Sequence, residues 1–163
     1  MPKKKKKNRA WVATGIVLIV GVFLLNRPTE QGGVVPSVSA HEMTVYKSPT
    51  CGCCANYVAY MKRAGYNIKA EDVADMDAIK KKYGIPRQME SCHTTVINGG
   101  EYVVEGHIPY EGIETLLADD SPVHTIMLPD MPVGSPGMPG KKRGAFNIHS
   151  IDADGVVSEY IKL

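Results

Sequence analysis

Three of the chain's four cysteines fall within four consecutive residues, Cys51-Gly52-Cys53-Cys54, and the fourth stands beside a histidine at Cys92-His93. What flanks the first cluster constrains the fold more than any other feature. Upstream, Met43 to Lys47 alternates, contains β-branched and aromatic residues, and reads as a strand that stops at Ser48-Pro49. Downstream, Tyr57, Val58, Met61 and Ala64 share one helical face, and Gly65 is placed to end the helix. The cysteines therefore sit at a strand-to-helix junction. Cys51 and Cys54 form a C-x-x-C pair there, where the unpaired amides of a helix start favour thiolate. Cys53 is an extra thiol. Neighbouring cysteines rarely form more than one unstrained disulfide, so at least one sulfur is left for another partner. A structural disulfide, Cys51 to Cys54 or one of them to Cys92, is the plainer alternative, but it leaves Cys53 and His93 unexplained.

The rest of the chain supplies a small α/β domain. Asn67 to Val73 reads as a second, weaker strand. Asp75 can cap a short helix with Met76, Ile79 and Tyr83 inward, ended by Gly84-Ile85-Pro86. Thr94 to Ile97 and Tyr102 to Glu105 form a hairpin around Asn98-Gly99-Gly100-Glu101, and Pro109 opens a helix carrying Ile113, Leu116 and Leu117. The order β-α-β-α-β-β-α, read as two parallel crossovers, a hairpin and a covering helix, predicts a sandwich of about eighty residues, within the range that folds alone. Residues 121 to 144 hold five prolines and four glycines, so regular structure there should be sparse. Phe146 to Ile151 and Val156 to Ile161, joined by Asp152-Ala153-Asp154-Gly155, predict a closing hairpin that packs back on the sandwich.

The formal charge of +2 misleads, because Lys3 to Lys7, Arg9 and Arg27 all precede the folded part. From His41 onward 12 Lys/Arg face 16 Asp/Glu, a net charge of −4, which removes the electrostatic footprint of a nucleic-acid binder. Ala10 to Leu25 carries no charge and follows five lysines, a pattern that keeps the amino terminus in the cytoplasm and sends the remainder outward. Sixteen helical residues reach roughly 24 Å, short of a hydrocarbon core of roughly 30 Å, so the segment fits a signal peptide or a short anchor. Val38-Ser39-Ala40 resembles a cleavage site but lies far past Leu25, which favours a retained anchor. The expected organisation is thus a basic tail, membrane-targeting segment and linker over residues 1–40, then one domain over 41–163, with its core at 43–120 and an extension at 121–163. Both targeting readings place the domain outside the cytoplasm, where free thiols need a metal or a dedicated reductant.

In a thioredoxin-like arrangement the loop before the third strand lies beside the C-x-x-C loop. Cys92 and His93 then face Cys51, Cys53 and Cys54. Thiolates with an imidazole suit Cu(I) or zinc, and thioether sulfur from Met131 and Met138 tilts the choice towards Cu(I). His107 is a second-tier candidate, as are those two methionines, which equally suit packing. His124 and His149 carry no spacing signal, and His41 matters only if cleavage at Ala40 exposes it. Lys80-Lys81-Lys82 reads as a solvated helix face and Lys141-Lys142-Arg143 as a polar loop.

The motifs Lys47-Ser48-Pro49-Thr50-Cys51-Gly52-Cys53-Cys54, Ser91-Cys92-His93-Thr94, Val104-Glu105-Gly106-His107-Ile108-Pro109 and Met131-Pro132-Val133-Gly134-Ser135-Pro136-Gly137-Met138 resemble, in this order, those of the CopG-like metal-binding family. The resemblance spans about residues 43 to 160. It implies a periplasmic, thioredoxin-like protein associated with copper resistance, with Cys51, Cys53, Cys54, Cys92 and His93 at the metal-site positions. Thioredoxins proper carry a cis-proline directly before the third strand, where this chain has His93, and that departure weighs against dithiol chemistry and favours metal binding. The expected function is capture or buffering of Cu(I), of more than one ion where sulfurs are shared. Its partners are the membrane, through an uncleaved Ala10 to Leu25, and other copper-handling proteins. The alternative is a dithiol or copper-dependent oxidoreductase using Cys51 and Cys54.

Overall fold

The computed structural model describes residues 41–118 and 123–163; the basic tail, the apolar segment Ala10 to Leu25 and the linker lie outside the described residues. Within the described residues no helix is long and apolar enough to cross a membrane. The elements follow the expected order: β1 (Met43–Lys47), α1 (Gly52–Arg63), β2 (Ile68–Asp72), α2 (Met76–Lys82), β3 (His93–Ile97), β4 (Tyr102–Glu105) and α3 (Tyr110–Ala118). Three more strands complete the chain, β5 (Thr125–Met127), β6 (Asn147–Ile151) and β7 (Val157–Lys162). Local chemistry sets their ends. Cys51 is the N-cap of α1, its sulfur accepting from the Cys54 amide, and Gly65 at φ 97° turns the chain out of the helix. Asp75 caps α2 as expected, accepting from the Ala78 amide at 3.0 Å.

The described strands form one seven-stranded sheet in the order β2-β1-β3-β4-β5-β6-β7. The expected pair of parallel crossovers is corrected. β1 and β2 are parallel, but β3 runs antiparallel to β1, with Lys47 opposite His93. The reason is length. Seven residues of α2 advance only about 10 Å, and the stretch from Tyr83 to Cys92 brings the chain back to the sheet edge it left. That reversal brings the start of β3 to the end of β1 that leads into the cysteines. Two parallel crossovers would have put Cys92 at the opposite edge.

β5 is the strand that the sequence did not reveal, three residues long and inside the proline-rich stretch 121–144. It pairs parallel with Val103 to Glu105 of β4 and antiparallel with β6, so it joins the extension to the sandwich in one continuous sheet. The hairpin after it turns where expected, the Asp152 carboxylate accepting from the Asp154 and Val156 amides at 3.0 and 2.8 Å.

Alternation along the strands divides the sheet's two faces. Val45, Ile97 and Val104 join Tyr57 and Met61 of α1 and Ile113 and Leu116 of α3 in the main core. Tyr46, Thr94 and Glu105 point the other way, where α2 lies, with Tyr46 against Tyr83 and Glu105 paired with Lys80. Lys80 is therefore not on a solvated face; it is 4% exposed, while Met76, Ile79 and Tyr83 are only half-buried. Glu105, the last residue of β4, is the buried carboxylate that Lys80 pairs with on this face.

Ile148 of β6 is fully buried in the same core as Ile113 and Leu116. Ile148→Ala is expected to lower stability by about 2–5 kcal/mol, with one cooperative unfolding transition for sandwich and extension together. An unchanged thermal midpoint, or a separate early transition, would show that the extension folds apart.

Candidate metal centre

The start of α1 and the start of β3 meet at one edge of the sheet, which brings Cys51, Cys53, Cys54, Cys92 and His93 together. Cys51 and Cys54 form a disulfide with their Cα atoms 5.3 Å apart, while Cys53 and Cys92 are free thiols. The Cys53 sulfur lies 3.4 Å from Cys51 and 3.6 Å from Cys92. All four sulfurs fall within 4.8 Å of one another, although some forty residues separate the two motifs. The Cys51–Cys54 pairing is the plainer alternative weighed from the sequence, and it accounts for two of the four sulfurs.

A second group adjoins the first through Cys54, whose sulfur lies within 4.8 Å of ring nitrogens of His93 and His107. All three residues are fully buried. His93 packs on Tyr57 at 4.3 Å between ring centroids and meets His107 edge-on at 4.6 Å. Neither nitrogen of His93 has a hydrogen-bond partner, nor does Nε2 of His107. Nδ1 of His107 lies 2.7 Å from the Pro136 carbonyl, which only accepts, so Nδ1 carries the proton and Nε2 keeps its lone pair. An imidazole oriented by a backbone carbonyl through one nitrogen, with the other left bare, is how metal-ligating histidines are commonly held.

Burial sets the protonation of these groups. It pushes His93 well below the ordinary histidine range, with His107 and Lys80 adding to the effect. His107 is lowered by burial too, against the pull of the Pro136 carbonyl. Both rings are thus neutral at physiological pH, as metal ligation requires. The Cys92 thiol is pushed up to about 12, first by burial and then by its neighbour Cys53. It stays protonated until a cation displaces the proton.

The methionine loop divides. Gly137 packs on α1 so closely that a Cβ would stand 2.6 Å from the Cys53 carbonyl oxygen, which brings half-buried Met138 to this side of the molecule. Met131 is 38% exposed. His124 is exposed, and His149 lines a separate surface pocket with Pro129 and Phe146. The donor set fits a soft metal: bare imidazole nitrogens and clustered sulfurs, two of which need reduction before they can bind. Sequence reasoning missed Glu105 and Lys80 beneath the Cys92-His93 corner; an acidic residue closing the apolar run Tyr102-Val103-Val104 was the one available signal.

Residues 89–138 match the family model described as a protein of unknown function, DUF411. No match was found among curated proteins. Two solved structures of copper resistance protein CopG are similar. Form 2 is 32% identical with a TM-score of 0.69, the match covering 76% of this chain and 98% of that one. Form 1 is also 32% identical, with a TM-score of 0.68 and coverage of 75% and 96%. Given that identity along almost the whole of a solved relative, and the same thioredoxin-like sandwich, this chain belongs to the CopG-like copper-resistance family.

Proposed function

We propose that this protein captures or buffers copper as Cu(I) outside the cytoplasm, using Cys51, Cys53, Cys54, Cys92 and His93, with His107 completing the inner side. The carrying observation is a cluster of four sulfurs joined, through Cys54, to buried imidazole nitrogens of His93 and His107 that have no hydrogen-bond partner. An unpartnered buried polar atom costs about 1–3 kcal/mol, and a bound cation relieves that cost. Thiolate and neutral imidazole favour Cu(I) over harder ions. With four thiolates in bridging range, sulfurs can be shared between more than one Cu(I). The kinship with copper resistance proteins supports the choice of metal.

A dithiol oxidoreductase is the second reading, favoured by the Cys51–Cys54 disulfide at the start of α1. Against it, Cys53 stands 3.4 Å from Cys51, where it would attack and reshuffle a mixed disulfide. The residue that opens β3 is His93, and no peptide bond among the described residues is cis.

In anaerobic titrations of the reduced protein against a competing chelator, Cys92→Ser is expected to lower both the copper stoichiometry and the affinity without unfolding the domain. His93→Ala should weaken binding less. Wild-type copper uptake by Cys92→Ser would make the two motifs separate and return Cys92 to a structural role.

The location rests on Lys3 to Lys7 and Ala10 to Leu25. An enzyme reporter that works only outside the cytoplasm, fused after Leu163, should be active; activity of a cytoplasm-only reporter in its place would contradict this placement.

A further inference from the structure

On the sheet face opposite His93 lies a buried ion pair that the sulfur cluster does not use. Glu105 at the end of β4 is fully buried, and its ionic partner Lys80 is 4% exposed. One carboxylate oxygen, Oε1, also accepts from the Ser91 amide at 2.6 Å, and the other, Oε2, accepts from the Thr94 hydroxyl at 2.6 Å. Ser91 and Thr94 are the residues on either side of Cys92-His93. A single side chain thus holds the backbone amide before two proposed ligands and the side-chain hydroxyl after them. The next residue tightens the same corner: the Gly106 amide donates to the His93 carbonyl at 2.9 Å. A Cβ on Gly106, at φ +87°, would stand 2.5 Å from the Leu128 carbonyl oxygen and 2.6 Å from the Ser91 hydroxyl.

Stability is a weak reason for such a pair, because desolvation offsets the attraction and apolar replacements of similar volume are often neutral or better. Placement at a ligand-bearing turn gives it a different purpose. Partners behind a ligand orient it and commonly set metal affinity, and ordering a turn in advance removes an entropy cost from binding.

We propose that Glu105, paired with Lys80, is a positioning residue for the metal centre: it fixes the Ser91 to Thr94 turn so that Cys92 and His93 face Cys53 and Cys54 before copper arrives. The proposal rests on the copper-binding reading above. Glu105 touches no ligand atom and acts through the turn.

Three variants of the full chain test it. Lys80→Met with Glu105→Leu deletes the grip and keeps the volume. Lys80→Met with Glu105→Gln removes the charges but keeps an acceptor for the Ser91 amide and a partner for Thr94. Thr94→Val deletes one of the gripping bonds. In the metal-free protein, hydrogen exchange at the Ser91 amide should accelerate in the leucine variant and stay slow in the glutamine variant. Cu(I) affinity, read by chelator competition, should fall about 10- to 100-fold in the leucine variant and be largely rescued by glutamine. Thr94→Val should weaken it by about three- to tenfold, the equivalent of one net hydrogen bond, and carries the test if the leucine variant does not fold. Wild-type affinity in a folded leucine variant, or in Thr94→Val where that variant is unfolded, overturns the proposal, as does a glutamine variant no better than leucine. Failure of the two readings is separable. Cys92→Ser binding copper like wild type removes the site and the proposal together, whereas weakened Cys92→Ser beside an unaffected leucine variant removes the positioning role alone.

Discussion

The antiparallel pairing of β1 with β3, Lys47 opposite His93, is the constraint on which the rest of the site depends. Strand β1 delivers the chain to Cys51 and β3 begins at His93, so antiparallel alignment puts the exit of one and the entrance of the other at the same edge. Every sulfur distance in the cluster follows from that alignment and from the Cys51 cap that starts α1. The sheet has two faces at this edge, and each contributes something different. On the α1 face, His93 and His107 pack against Tyr57, whose hydroxyl donates to the Ile108 carbonyl at 2.9 Å. On the α2 face, Glu105, paired with Lys80, bonds to Ser91 and Thr94 from behind.

Burial gives the centre its chemical character. The imidazoles are kept neutral, with both nitrogens of His93 and Nε2 of His107 bare, and the Cys92 thiol is kept protonated beside Cys53. None of this favours the metal-free state, since buried groups without partners cost free energy. The surrounding core of Ile97, Ile108, Ile113 and Leu116 carries that cost, and copper binding would recover it. The Cys51–Cys54 disulfide adds a redox condition. Two thiols are free in that form, and four sulfur ligands exist only after reduction. On the proposed reading, copper uptake is linked to whatever keeps this pair reduced.

Much of the fold was legible in the residues because local signals agreed with the tertiary structure. Strand β1, the Asp75 cap, the β3–β4 hairpin and the Asp152 turn each came from a few residues whose chemistry has one common use. Three features were not legible. The direction of β3 depends on where the ten residues after α2 lead the chain, which periodicity does not encode. Strand β5 is three residues long and gains its identity only from β4 and β6 on either side. Lys80 looked solvated because three lysines in a row usually are; its partner Glu105 lies twenty-five residues away and becomes a neighbour only across the sheet. Motif spacing singled out the four cysteines and His93, which the fold brings to one edge, while the proximity of His107 to Cys54 needed the backbone turn at Gly106.

The central claim is that two segments some forty residues apart hold copper through shared sulfur. X-ray absorption at the copper edge, on reduced protein loaded anaerobically, tests it most directly. The account predicts a Cu(I) edge with a sulfur-dominated first shell that loses sulfur scattering in Cys53→Ser and again in the double variant with Cys92→Ser. A shell of nitrogen and oxygen only, or the wild-type spectrum in that double variant, would contradict it.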